Sequence, residues 1–501
     1  MNKNPSFFSR MFRNENGDIS YDICSPNLEF FTKFVGGKEY GPKGSQTLEE
    51  NDEKVFDILD RMWYENPELT VKNIFYKGDC RGGAKEKKLF RVGMNWLIQK
   101  HPQWSNLSHV PEYRYWKDLI TISAQNPSVR QEVVELFAKQ LLSDHKMLVE
   151  NLPGISLCAK WVPTEGCAED KRDPHFLNNL RNLLGMNHRK FRKELIVPLR
   201  THLKIVESFM CAKEWENIDY SQVPSVAMQN YKKTFQKHDP VRFAEWAEKL
   251  KRGNAKINVS QLFPHTIAKP YFYGGQKDDI IEAQFKALTE NVKKMGIFDR
   301  SLVISDTSAS MSGTPMDVSI TLGILISRCL SPPFTNLIIN FDEQPTFSKL
   351  TGNDLHQDIQ IMRQVPWAGS TNLDLVFDQV LQKAKEMELP PEKFPNRLYI
   401  LTDMQFNQLE GEVTTKGALQ RANEKFASYG YEVPEIVCWN LRGNTTTSAM
   451  PDNQKGMCTI TGFSTSILSA VMNGRKIPDP YSTMVETLTG ERYKRLNFPG
   501  K

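Results

Sequence analysis

The chain has no long hydrophobic run: no window approaches the roughly eighteen apolar residues that a membrane-spanning helix needs. Its opening, MNKNPSFFSRMFRNENG, lacks the continuous apolar core of a secretory signal. Cysteine is sparse. The eight present, at positions 24, 80, 158, 167, 211, 329, 438 and 458, form no C-x-x-C pair, and two lie in the apolar runs LISRCL and EIVCWNL. That usage argues against a disulfide framework and predicts buried free thiols in a reducing compartment. A soluble, intracellular protein of the cytoplasm, without a membrane partner, is the expectation.

Familiar catalytic signatures are also missing. GPKGSQT lacks the spacing of a phosphate-binding P-loop, and neither SASMSG nor TGFSTS is the G-x-S-x-G of a nucleophile elbow. The nine histidines are dispersed, and no carboxylate cluster of the two-metal nuclease kind is present. These absences predict a protein that is not an enzyme.

What is present is ordinary globular composition, 40% apolar and 25% charged over 501 residues, with a formal net charge of +5. That length accommodates two or three domains. Residues 1–50 are polar and punctuated by glycine and proline, and read as an irregular arm. From 51 to 296 the apolar spacing is helical. In SVRQEVVELFAKQLLSDHKMLVE, residues Val129, Val133, Leu136, Phe137, Leu141 and Met147 fall close to one face. Similar segments at 86–100, 175–184, 188–212, 224–237, 240–252 and 277–296, separated by short breaks, predict an α-helical repeat domain of the HEAT-like solenoid type.

Near residue 297 the pattern changes. SLVIS, NLIINF, RLYILT and EIVCWNL are short β-rich runs alternating with helical stretches. Apolar throughout, they suit strands buried on both faces, and so a doubly wound, mostly parallel α/β domain over 297–501. In such folds ligands bind in loops after the carboxyl ends of strands. The loop DTSASMSG supplies Asp306, Ser308 and Ser310. WAGSTNLD supplies Ser370 and Thr371, and TDMQF supplies Asp403. Carboxylate and hydroxyl oxygens without nitrogen or sulfur suit a hard cation, Mg2+ or Mn2+, with waters completing the shell. Taken singly, each loop also reads as a capped turn before a helix.

In order, D-x-S-x-S, a loop threonine and an aspartate after a later strand resemble the metal-ion-dependent adhesion site of von Willebrand factor A domains. The resemblance implies direct binding of the ion by Ser308, Ser310 and Thr371, with Asp306 and Asp403 acting mostly through water. It also implies a protein partner presenting an Asp or Glu carboxylate as the last ligand. Where that family often has glycine after the last aspartate, this chain has Met404.

A second resemblance rests on YKGDCRGGAKEKKLFRVGMNWLI (76–98), PEYRYWKDLI (111–120), SLCAKWVPTE (156–165) and VPSVAMQNYKKTFQKHDPVRFAEW (223–246). These are similar to an uncharacterised family of plants, slime moulds and giant viruses, over most of the chain. Its plan is similar to the Ro ribonucleoprotein autoantigen, which joins a helical TROVE region to a von Willebrand factor A domain. That resemblance implies binding of a small structured RNA. A giant-virus source would add packaging in the virion to the cytoplasmic expectation.

The residues that could carry RNA binding are Arg181, Arg189, Lys190, Arg192, Lys193, Arg200 and Lys204, set against the single acid Glu194 in 181–204. A second cluster comprises Arg81, Lys85, Lys87 and Lys88 around Gly82 and Gly83, whose amides could meet phosphate. A third comprises Lys232, Lys233 and Lys237. Clustered cations supply the sequence-independent part of nucleic-acid affinity. Charge runs on amphipathic helices are equally ordinary solvated faces, and Phe191, Leu195, Leu199 and Leu203 mark a surface helix. Trp96, Trp116 and Trp161 lie in apolar contexts and read as core. The reading is a non-enzymatic binding protein, with RNA on the helical domain and a metal-dependent contact on the A domain. A pure protein-interaction scaffold and a Mg-dependent phosphohydrolase are the alternatives.

Overall fold

The computed structural model describes residues 8–13, 19–23, 25–33, 48–259, 262–296, 298–341, 345–364, 373–402, 423–441, 447–448, 457–461 and 480–498. The chain forms two units. One is helical and comprises residues 37–223, 227–244 and 488–501; the other is α/β and comprises 1–36, 224–226 and 245–487.

In the helical unit successive helices pack on one another. Helix Pro67–Gly78 lies against Leu48–Glu65 and Lys87–Lys100; Trp116–Gln125 lies against the latter, followed by Arg130–Val149 and Phe176–Leu183. Asn66 starts Pro67–Gly78 by accepting the Leu69 N–H at 3.0 Å, with proline in the first turn where no donor is lost. This helix is buried on every side from Leu69 onward. Two glycines allow the approach. A Cβ on Gly78 would stand 2.4 Å from the Phe90 ring, and one on Gly93 would stand 2.8 Å from Ile74 Cγ2. Two carboxylates buried here are paired. Asp118 receives Arg91 at 2.6 Å and Arg114 at 3.2 Å. Asp79 receives the N–H groups of Arg81 and Gly82, the Arg492 guanidinium and the Tyr493 hydroxyl.

The α/β unit is built on a six-stranded sheet of order β5-β4-β3-β6-β7-β9. Its strands are β3 (Ser301–Asp306), β4 (Leu337–Phe341), β5 (Thr346–Lys349), β6 (Arg397–Thr402), β7 (Glu435–Asn440) and β9 (Met457–Thr461). All neighbours pair parallel except β4 and β5. The chain runs outward from β3 to β4 and β5, then returns to the other side of β3 with β6. Two parallel strands that adjoin without being consecutive create a crevice at their carboxyl ends.

Two departures concern boundaries. Helices Pro264–Phe272 and Asp279–Lys293, expected in the helical half, belong to the α/β unit. Ile267, Ala268, Tyr271, Ile281, Phe285 and Val292 share one core with β3, β4 and β6. Glu282 also accepts the Leu355 and His356 N–H groups, capping helix Leu355–Gln364 from a distant part of the chain. The arm expected to be irregular holds β1 (Phe8–Arg13) paired antiparallel with β2 (Ile19–Ile23), which pairs in turn with β8 (Thr447–Ser448). Helix Pro26–Lys33 follows.

Among the described residues six cysteines are free, four of them buried. No helix there is long and apolar enough to cross a membrane.

Candidate metal centre and nucleic-acid interface

The cation candidate sits at the crevice. Asp306 ends β3 and is fully buried. Its Oδ1 accepts the Ser308 N–H at 2.9 Å, the Asx turn that the sequence allowed. Its Oδ2 accepts the hydroxyl of Thr402, the last residue of β6, at 2.8 Å. The carboxylate therefore links the two strands flanking the reversal. The chain then makes a short turn, Ala309–Met311, and passes Gly313 at φ 93° before entering helix Thr314–Cys329.

That turn brings Ser308 Oγ and Ser310 Oγ to 3.0 Å of one another. Behind them, Ser319 donates to the Asp306 carbonyl at 3.0 Å and lies 2.7 Å from Ser305 Oγ, fastening the helix to β3. Gly323 lets the same helix approach β4, since a Cβ there would stand 2.6 Å from Ile338 Cδ1. The Thr307 hydroxyl is buried without a hydrogen-bond partner among the described residues. Thr371 and Asp403, the other two predicted ligands, lie outside the described residues. Among the described residues no three His, Cys, Asp or Glu side chains converge. A cation at Asp306 would thus rest on hydroxyl oxygens and on what Thr371 and Asp403 contribute.

The predicted RNA residues divide by what their side chains already do. Arg189, Lys190, Arg192 and Lys193 are exposed and form no ion pair among the described residues; Lys204, also exposed, stands with them. They follow the Asn187 cap and enter a π-helical turn, Phe191–Ile196, which rolls into Val197–His202 where Pro198 supplies no N–H.

Arg181 is tied to Glu165 at 2.6 Å and to Asn178. Arg200 donates to the carbonyls of Ala159 and Val162 at 2.9 and 2.6 Å, holding the segment around helix Cys158–Trp161. Burial and the neighbouring Arg192 lower its pKa. These two arginines nonetheless line, with Arg192, Phe191 and His188, a cavity of about 110 Å³.

The Arg81 cluster does not offer open amides. Asp79 Oδ1 takes the N–H groups of Arg81 and Gly82, and the Gly83 N–H goes to the Asp79 carbonyl. Gly83 is there for space: a Cβ would stand 2.1 Å from the Tyr76 carbonyl oxygen. Arg81 itself donates to the carbonyl of Glu112 at 2.7 Å. Lys85 is half-buried, and burial pushes its pKa down to about 8. Lys87 is exposed and Lys88 half-buried.

Of the tryptophans read as core, only Trp96 is fully buried. Trp116 and Trp161 are half-buried and line, with Tyr115, Arg81, Arg114 and Lys139, an open groove of about 490 Å³. The sequence signal was the aromatic–basic run YRYWK at 113–117 together with AKW at 159–161.

A helical unit joined to a mixed, mainly parallel α/β sheet, with an Asp-Ser-Ser loop at the strand reversal, defines the class of molecule. The model of a domain of unknown function, DUF2828, matches residues 15–131 and 178–298, and that of a second, DUF7788, matches 300–497. An uncharacterized protein of Acanthamoeba polyphaga mimivirus is 30% identical over 510 residues, covering 95% of this chain and 86% of the viral protein. The chain belongs to the same family as that viral protein.

Proposed function

We propose that this is a non-enzymatic RNA-binding protein whose helical unit, TROVE-like in plan, holds RNA by its phosphates. Its α/β unit is then a von Willebrand factor A fold with a Mg2+-dependent contact for an acidic protein partner. The observation that carries the RNA reading is the exposed cluster Arg189, Lys190, Arg192 and Lys193, none of which forms an ion pair among the described residues. Opposite charges three or four residues apart on a helix pair with one another, and like charges at that spacing repel. Here four cations share one turn and a half with Glu194 alone, a density suited to neutralising phosphates.

The test is fluorescence anisotropy with a structured RNA carrying a single-stranded tail, at two salt concentrations. Binding should weaken steeply with salt, and charge reversal at the four positions should flatten the log–log slope by up to about four. Equal binding by the reversed variant would remove this face from the interface.

The metal reading is favoured by the Asp306 geometry. A buried carboxylate held by the Ser308 N–H of its own loop and the Thr402 hydroxyl of the neighbouring strand, beside two hydroxyls 3.0 Å apart, fits a hard, oxygen-seeking cation. Ser308, Ser310 and Thr371 would hold the ion, with Asp306 and Asp403 behind waters. Bound there, Mg2+ would supply an electrophilic position for a partner's Asp or Glu. If the protein is purely a scaffold, its partner is lost on chelation or in Asp306→Ala while RNA affinity is absent from the start.

A further inference from the structure

We infer that the groove between helices Trp116–Gln125 and Arg130–Val149 and the Cys158–Trp161 turn is a stacking site for the unpaired bases of single-stranded RNA. This rests on the RNA-binding reading above and names the form of RNA that the helical unit takes.

Three observations carry it. First, the lining is aromatic and open. Tyr115 and Trp161 stand 5.4 Å apart at 48°, and Trp116 abuts the buried Phe137 edge-on at 4.8 Å, leaving part of its surface uncovered. Partly exposed indoles around a cavity of about 490 Å³ cost hydration that a flat π-ligand would relieve.

Second, the rim favours an anion. Lys139 is exposed with no partner among the described residues, and Lys117 lies over rings, 4.3 Å from the centre of Trp161 and 5.7 Å from Tyr115, with no ion pair among the described residues. Arg81 adds a third cation whose hydrogen bonds go to neutral carbonyls. The acid on this lining is Glu112, which already faces His109. A cationic ligand would meet like charge, and a neutral apolar one would leave these cations without counter-charge. A polyanion bearing flat bases matches both features.

Third, the groove adjoins the phosphate face along the chain. Trp161 lines the groove and Pro163 lines the smaller arginine cavity, with Arg200 clamping Val162 between them. Trp161 and Pro163, two residues apart, thus set the two cavities beside one another in the same unit.

The experiment uses the full chain and two probes: a short single-stranded RNA with 2-aminopurine at one position, and a blunt duplex of equal charge. Stacking quenches 2-aminopurine, so quenching should accompany binding of the single strand. Trp161→Ala should abolish the quench and weaken single-strand affinity about tenfold or more, a loss of one stacked base, with duplex affinity unchanged. Lys139→Glu, at an exposed position whose change leaves the fold intact, should weaken the single-strand arm in the same direction. If wild type binds both probes but neither variant alters the single-strand arm, the groove is not the site and the phosphate reading survives. If wild type binds neither probe, both readings fall together.

Discussion

His265 is a residue whose chemistry is set by where it lies. Burial beside Phe263, with Lys269 adding to it, pushes its pKa down to about 4. The unfolded chain, with an ordinary value near 6.5, holds the extra proton between those two limits, so folding loses stability as pH falls from 6.5 toward 4. The slope contributed is at most about 1.4 kcal/mol per pH unit. Urea midpoints at pH 7 and pH 5 should therefore differ less in His265→Asn than in wild type. Identical differences would show that the imidazole takes its proton in the folded state. Asp118 is the complementary case: it is buried and holds two arginines, of which Arg114 is itself buried. Asp118→Ala should cost about 3–5 kcal/mol, because it leaves a buried guanidinium without its counter-charge. A loss below about 1 kcal/mol in chemical denaturation would mean that the Arg114 hydrogen bond to the Gly78 carbonyl suffices.

At the scale of elements, the helical period in the first half and the short apolar runs in the second were legible because each reports a repeat in the backbone itself. What a repeat does not report is the layer against which an apolar face is buried. Helices 264–272 and 279–293 carry the same periodicity as those before them, yet pack on the sheet. The basic helix shows the same limit. Arg181 and Arg200 look like Arg189 and Arg192 in sequence, but two of the four are spent on Glu165 and on backbone carbonyls, groups more than fifteen residues away. The contact between helices Pro67–Gly78 and Lys87–Lys100 depends on Gly93. Gly93→Ala should overpack Ile74 and destabilise the helical unit by about 1–3 kcal/mol, visible as a lower thermal midpoint. An unchanged midpoint would mean that Ile74 rotates aside at no cost.

At the scale of the whole molecule, residues 488–498 belong to the helical unit although they follow the α/β sequence. Tyr493 is buried against Tyr113, stacked at 5.5 Å, and donates to Asp79; Arg492 pairs with the same carboxylate. Asn497 exchanges hydrogen bonds with Asn106 at 2.8 and 3.0 Å. As sequence, these residues read as a tail without a role. Arg492→Ala with Tyr493→Phe should loosen the helical unit, seen as faster proteolysis and amide exchange around Asp79 and Tyr113. Unaltered exchange there would make the segment a passenger.

The sequence by itself determined the two kinds of architecture, the order in which they come, the D-x-S-x-S loop and the position of the cation-rich helix. All of these are set by neighbours within a few residues, where periodicity, capping chemistry and charge density act. Only the tertiary structure decided which cations stay free, that Asp306 is joined to Thr402 across the strand reversal, and that Trp161 faces a groove rather than a core. It also decided that helices Pro264–Phe272 and Asp279–Lys293 complete the sheet's core. Each of those outcomes depends on partners far away in the chain, and burial and pairing are properties of the surroundings rather than of the residue.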